Sequence, residues 1–128
     1  MVTEDNVSFE TANLLKEKGF DELCYACYEY FESGVTVYKG WTFEYKGYPV
    51  HNSPCRTKSP TLQMAMKWLR EIHNICISVD VKIGGGKYYV CISSTDNGLS
   101  HGVLEDEVWD TYEEACEAGI RYCLENLI

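Results

Sequence analysis

The 128-residue chain predicts an α+β fold: a single two-layer domain over residues 1–128, with an antiparallel sheet of four or five strands and three helices. Three observations carry this expectation. Hydrophobic residues make up 45% of the chain and aromatics 13%, which suits a packed core and opposes disorder. Helical spacing and strict alternation both occur, in separate segments. These segments follow the order helix, strand, strand, helix, strand, strand, short strand, helix, so a helix–strand–strand unit is met twice. A chain of this length buries roughly 65 to 70% of its unfolded surface and needs no staple to fold.

Ser8 is placed as an N-cap, with Glu10 in the first turn favoured by the helix dipole. Phe9, Ala12 and Leu15 recur at helical spacing and Gly19 marks a stop, so the first helix runs from Phe9 to Lys18. Leu23 to Phe31 is dense in Tyr and Cys without Gly or Pro and predicts a strand. After the Ser33-Gly34 turn, Val35 to Tyr45 predicts a second strand, interrupted at Gly40 by a bulge. Lys46 to Ser59 predicts a loop, punctuated by Gly47, Pro49 and Pro54.

Ser59 as N-cap and Pro60 at the first helical position open the best-marked helix, which puts Leu62, Ala65, Met66, Leu69 and Ile72 on one face. Ile75, Ile77, Val79, Val81 and Ile83 then alternate with polar residues, the pattern of a half-buried strand. Gly84-Gly85-Gly86 turns the chain back into Lys87 to Ser94, and Asp96-Asn97-Gly98 turns it again toward a short strand at Val103-Leu104. Thr111 and Glu114 form a capping box for the last helix, whose Tyr112, Ala115, Cys116, Gly119, Ile120, Cys123 and Leu127 share one side.

The formal net charge of −9 opposes binding of long nucleic acid, which requires Lys and Arg to neutralise phosphates, and repels anionic membranes. From Ser59 onward the helix–strands–helix order is that of double-stranded-RNA-binding domains. The acids Glu105, Asp106, Glu107, Asp110, Glu113, Glu114 and Glu117 oppose that function and suit an alternative one, an acidic mimic of nucleic acid. The polar start, Met1 to Asn6, has no apolar run, so the expected place is the cytoplasm, with the seven cysteines reduced. Cys24 and Cys27 fall on opposite faces of a strand and do not converge on a metal, and no cofactor motif is found.

The charge is unevenly spread. Between Gly34 and Arg70 six bases meet one acid, Glu44; this net of +5 in a chain of −9 leaves −14 for the rest. Arg56, Thr57, Lys58, Ser59 and Thr61 gather where a helix N-terminus is expected, a place suited to a phosphate or carboxylate. Trp41 and Tyr48 lie in the same stretch and are candidates to stack on a base. These seven residues form the candidate anion site. An enzyme, most naturally a hydrolase of a nucleotide-like substrate, would need titratable groups converging there, and none is evident.

The run Leu14-Leu15-Lys16-Glu17-Lys18-Gly19-Phe20, the Ser59-Pro60-Thr61 entry with Lys67-Trp68-Leu69-Arg70-Glu71, and the cap Asp110-Thr111-Tyr112-Glu113-Glu114-Ala115 resemble a family of short uncharacterised proteins of gut bacteroidete bacteria and their phages and mobile elements. The resemblance implies a small accessory protein, with countering a host defence as one role; it brings no activity or site residues. The expectation is therefore a non-enzymatic binding protein. It would act on a host protein, or on a small anionic ligand, with a homodimer among its forms.

Overall fold

In the computed structural model, the backbone is described for all residues except 1, 34, 35, 45, 46 and 104–106, and side chains for all but 1, 31–41, 45, 46 and 101–106. The chain is α+β and divides into two compact units, Met1–Thr61 and Leu62–Ile128.

Unit 1 holds α1 (Phe9–Glu17), β1 (Ala26–Ser33), β2 (Thr36–Glu44) and β3 (Arg56–Lys58). Ser8 caps α1 as expected, its hydroxyl accepting from the Thr11 N–H at 3.2 Å. Gly19, at φ +89°, follows the helix end. The strands lie in the order β2-β1-β3, all antiparallel. The β1–β2 register slips between Tyr28, opposite Thr42, and Tyr30, opposite Lys39, so the extra residues of β2 include Gly40, where the bulge was expected. Phe9 of α1 meets Tyr28 and Tyr30 edge-on, at 5.5 and 5.9 Å between ring centres. Tyr28 Oη donates to the Val7 carbonyl at 2.6 Å. Val7, Ala12, Leu15 and Phe20 are buried around this contact.

Unit 2 holds α2 (Leu62–His73), β4 (Ile75–Val81), β5 (Tyr88–Ser94), β6 (Ser100–Val103) and α3 (Tyr112–Asn126). The helix–strands–helix order expected from the second helix onward is present, and the strands form an antiparallel meander, β4-β5-β6. Both helices pack on the sheet: α2 meets β4 and α3, and α3 meets β4 and β5. Ile75, Ile77, Val90 and Ile92 of the sheet and Ala65, Leu69, Ala115, Cys116, Ile120 and Cys123 of the helices form the core. Thr111 caps α3, its hydroxyl accepting from the Glu114 N–H at 3.1 Å. The three glycines 84 to 86 all take positive φ, which lets the β4–β5 hairpin turn in so few residues.

Three expectations are corrected. The one sheet of four or five strands is replaced by two sheets of three. The extra strand is β3, hidden in a stretch whose prolines signal a loop. The repeated helix–strand–strand unit is a likeness of order alone, since the first strand is central in unit 1 and the second in unit 2. The second helix opens at Leu62, not at Ser59-Pro60. Those two residues are extended because their backbone is already engaged: Ser59 N–H donates to the Ala26 carbonyl at 2.9 Å and the Pro60 carbonyl accepts from Val7 N–H at 3.0 Å. Within α2, Ile72 is exposed although the wheel sets it on the apolar face, and Trp68 is buried. Trp68 packs edge-on against His73, 4.6 Å between ring centres.

Candidate functional site

The candidate anion residues fall on β3 and the extended segment that follows it. A tight turn leads in. Ser53 and Arg56 exchange two backbone hydrogen bonds, at 2.9 and 3.2 Å, with Pro54 and Cys55 at the tip. Lys16 of α1 clamps this turn, donating from Nζ to the carbonyls of Ser53 at 2.7 Å and Arg56 at 3.3 Å. β3 then pairs with β1, setting Arg56 opposite Glu29, Thr57 opposite Tyr28 and Lys58 opposite Cys27.

Alternation along β3 sends Arg56 and Lys58 to one face and Thr57 to the other. Arg56 is ion-paired to Glu29, Nε to Oε1 at 2.8 Å. Thr57 is fully buried and donates to Asn13 Oδ1 at 3.2 Å. The Lys58 side chain is only 6% exposed. Its ammonium donates to Asp21 Oδ1 and to the Glu22 carbonyl, each at 2.9 Å. The hydrogen bond from Lys58, reinforced by its charge, holds the Asp21 carboxyl below the ordinary carboxylate range. Ser59 is buried; its carbonyl accepts from Asn6 Nδ2 at 2.8 Å, while its hydroxyl has no hydrogen-bond partner among the described residues. Thr61 forms an antiparallel bridge with Asn6. Tyr48 stands 74% exposed, and the Trp41 side chain lies outside the described residues.

The structure thus brings Arg56, Thr57 and Lys58 side by side in sequence but does not converge them on a shared point. Both cations face carboxylates of their own chain. An incoming phosphate would have to displace Glu29 or Asp21, so the charges of Arg56 and Lys58 are already matched within unit 1.

Burial holds three of the cysteines, Cys24, Cys116 and Cys123, away from the reactive thiolate form. All seven are free thiols. Burial pushes Cys24 up to about 11, and the opposing pull of Lys58 is the smaller effect. Burial likewise raises Cys116, and takes Cys123 to about 12. Cys55, at the tip of the clamped turn, is exposed. Alkylation of the native protein at mildly alkaline pH is therefore expected to modify Cys55 first, with Cys24 and Cys123 reacting only after denaturation. Peptide mass spectrometry of a time course checks the order. Among the described residues no group of three or more His, Cys, Asp and Glu comes together to hold a metal ion.

One surface feature was not anticipated. The Val50 N–H donates to the Cys24 carbonyl at 2.8 Å, which lays the stretch around Tyr48 beside Leu23 and Tyr25. The β1–β2 ladder adds Phe43, opposite Cys27 and two residues from Tyr25. Leu23 is 55% exposed, Tyr25 46% and Phe43 37%, next to Tyr48. Asp21, Glu22 and Glu44, all exposed, belong to the same stretches. Sequence reasoning placed Leu23 and Tyr25 within a strand, whereas β1 begins at Ala26 and leaves them outside it. The signal available was the neighbouring pair of acids, Asp21 and Glu22, which no strand accommodates easily.

No family model, curated protein or solved structure matches the chain. No helix among the described residues is long and apolar enough to cross a membrane.

Proposed function

We propose that the protein is a non-enzymatic binding protein that docks on another protein through the exposed group of Leu23, Tyr25, Phe43 and Tyr48. The observation that carries this reading is a set of four exposed apolar side chains, three aromatic and one leucine, on stretches that backbone hydrogen bonds join and that also carry the exposed acids Asp21, Glu22 and Glu44. Aromatic residues supply most of the binding energy at protein interfaces because they bury large rigid areas at low entropic cost, while charges at the border set orientation and partner choice. The partner this fits has an apolar centre and a basic margin. The rival reading, a small anionic ligand at Arg56 to Thr61, is weakened by the pairing of Arg56 and Lys58 to carboxylates of the same chain. The resemblance in sequence to short proteins of gut bacteroidete bacteria and their phages supports a bacterial host as the source of that partner.

The test is affinity capture from such a host, run in parallel with Tyr25→Glu and Tyr48→Glu variants shown by circular dichroism to be folded. The expected result is a specific captured protein that both variants lose, and whose capture weakens as salt rises. Identical capture by the variants sinks the patch as the interface. A thermal shift with nucleotides that disappears in Arg56→Gln would put the ligand reading in its place.

A further inference from the structure

We propose a second interaction surface, in unit 2: the open edge of β4 pairs with β4 of a second copy of this chain, antiparallel about a two-fold axis at Val79, so that two three-stranded sheets become one of six strands. The inference stands apart from the aromatic surface of unit 1.

The argument begins with which backbone groups point outward. In sheet order β4 is an edge strand, with β5 on one side and no strand on the other among the described residues. In an antiparallel ladder, alternate residues turn both their N–H and C=O toward the same neighbour. Lys82 N–H donates to the Lys87 carbonyl at 2.8 Å, and the Asn74 carbonyl accepts from Thr95 N–H at 2.9 Å. Residues 74 and 82 therefore face β5, and with the register unbroken between them, so do 76, 78 and 80. The groups of Ile75, Ile77, Val79 and Val81 point to the open edge.

Those outward residues are the apolar ones, and their pattern matches itself when reversed. With the axis at Val79, Val79 meets its counterpart, Ile77 meets Val81, and Ile75 meets Ile83 just past the strand. Every such pair joins two β-branched side chains, the residue type that best fits a pleated, half-buried surface. Val81 is 59% exposed and Ile83 wholly so, and this pairing covers both. On the other face Ser78 meets Asp80 and Cys76 meets Lys82, so no like charges are set opposite one another. The usual guards of an edge are missing from β4: it has no proline, no bulge and no lysine within its span. Another strand could satisfy the backbone, but the reversed match of five apolar positions is particular to a second copy.

Sedimentation and light scattering across a concentration series give the test. The expected mass is that of a dimer, falling to monomer on dilution. Val81→Lys places an ammonium against Ile77 of the second copy and is expected to yield a folded monomer that melts where wild type does once diluted to monomer, since Val81 is exposed in one copy. Val79→Pro removes the outward N–H at the axis and takes none from the β4–β5 ladder, and is also expected to be monomeric. If that variant fails to fold, Val81→Lys decides alone. Tyr48→Glu, in unit 1, leaves the dimer intact. Wild-type monomer throughout the series, a dimer that persists in Val81→Lys, or growth beyond two copies each overturns the proposal.

Discussion

Lys58→Glu is expected to unfold unit 1, and the graded series Glu, Ala, Met at this position should separate charge from packing. The Lys58 side chain is buried while its partner Asp21 is 80% exposed, an asymmetry that decides the magnitudes. Removing the lysine leaves Asp21 in water, so no stranded buried charge remains. The loss is then the packed alkyl stem, the bond to the Glu22 carbonyl and a pair whose partner stands in water, together about 1–2 kcal/mol for Lys58→Ala and less for Lys58→Met, which keeps the stem. Glutamate instead buries an anion beside the Asp21 carboxylate and the Glu22 carbonyl, where an uncompensated buried charge costs about 3–5 kcal/mol. Urea denaturation followed by tyrosine fluorescence and far-ultraviolet circular dichroism checks the order.

The same pair has a pH signature. Because Lys58 holds Asp21 below its ordinary value, the stabilisation is fully present above about 3.9, the unfolded carboxylate value, and is lost as pH falls through the lower folded value. Lys58→Met is expected to flatten the acid limb of the stability curve in that window. This result bears on the anion site too. Charge reversal at Lys58 tests folding before it tests binding, so Arg56, which is 43% exposed, is the residue whose substitution can report on a ligand.

Local signals in the sequence predict local structure well. Ser8 and Thr111 cap the helices they precede, and the Gly84–Gly86 run turns the hairpin, because each acts on backbone within a few residues. What was not legible depends on partners far along the chain. Arg56-Thr57-Lys58 has neither length nor alternation enough to announce a strand, and is one because β1, nearly thirty residues earlier, offers its free edge. Ser59-Pro60 carries a sound helix-start signal, yet Ala26 and Val7 take its backbone first. The ion pairs of Arg56 and Lys58 were hidden for the same reason. The charge excess is visible in sequence, but the carboxylates that pair with Arg56 and Lys58, Glu29 and Asp21, lie outside the segment counted.

Gly119 is expected to be the least replaceable surface of α3. It lies in mid-helix, where glycine is unfavourable by about 1 kcal/mol relative to alanine, so propensity alone argues for substitution. The packing argues against it. A Cβ at position 119 would stand 3.0 Å from Ile77 Cγ2 and 3.1 Å from Val90 Cγ1, inside ordinary van der Waals contact with core residues of β4 and β5. Ile77 and Val90 are buried, Val90 completely, and a branched side chain has few rotamers to retreat into. Overpacking of this kind costs about 1–3 kcal/mol, so Gly119→Ala should come out between neutral and about 2 kcal/mol destabilising after the helix gain. Gly119→Leu adds three further carbons to the same contact and is expected to exceed about 3 kcal/mol, separating α3 from the sheet. The double variant Gly119→Ala with Ile77→Val removes a methyl group from the crowded side and should recover part of the loss, a coupling that chemical denaturation of the four-member cycle measures. If the single alanine variant is instead more stable than wild type by the full propensity difference, α3 does not sit on β4 and β5 as closely as these distances require.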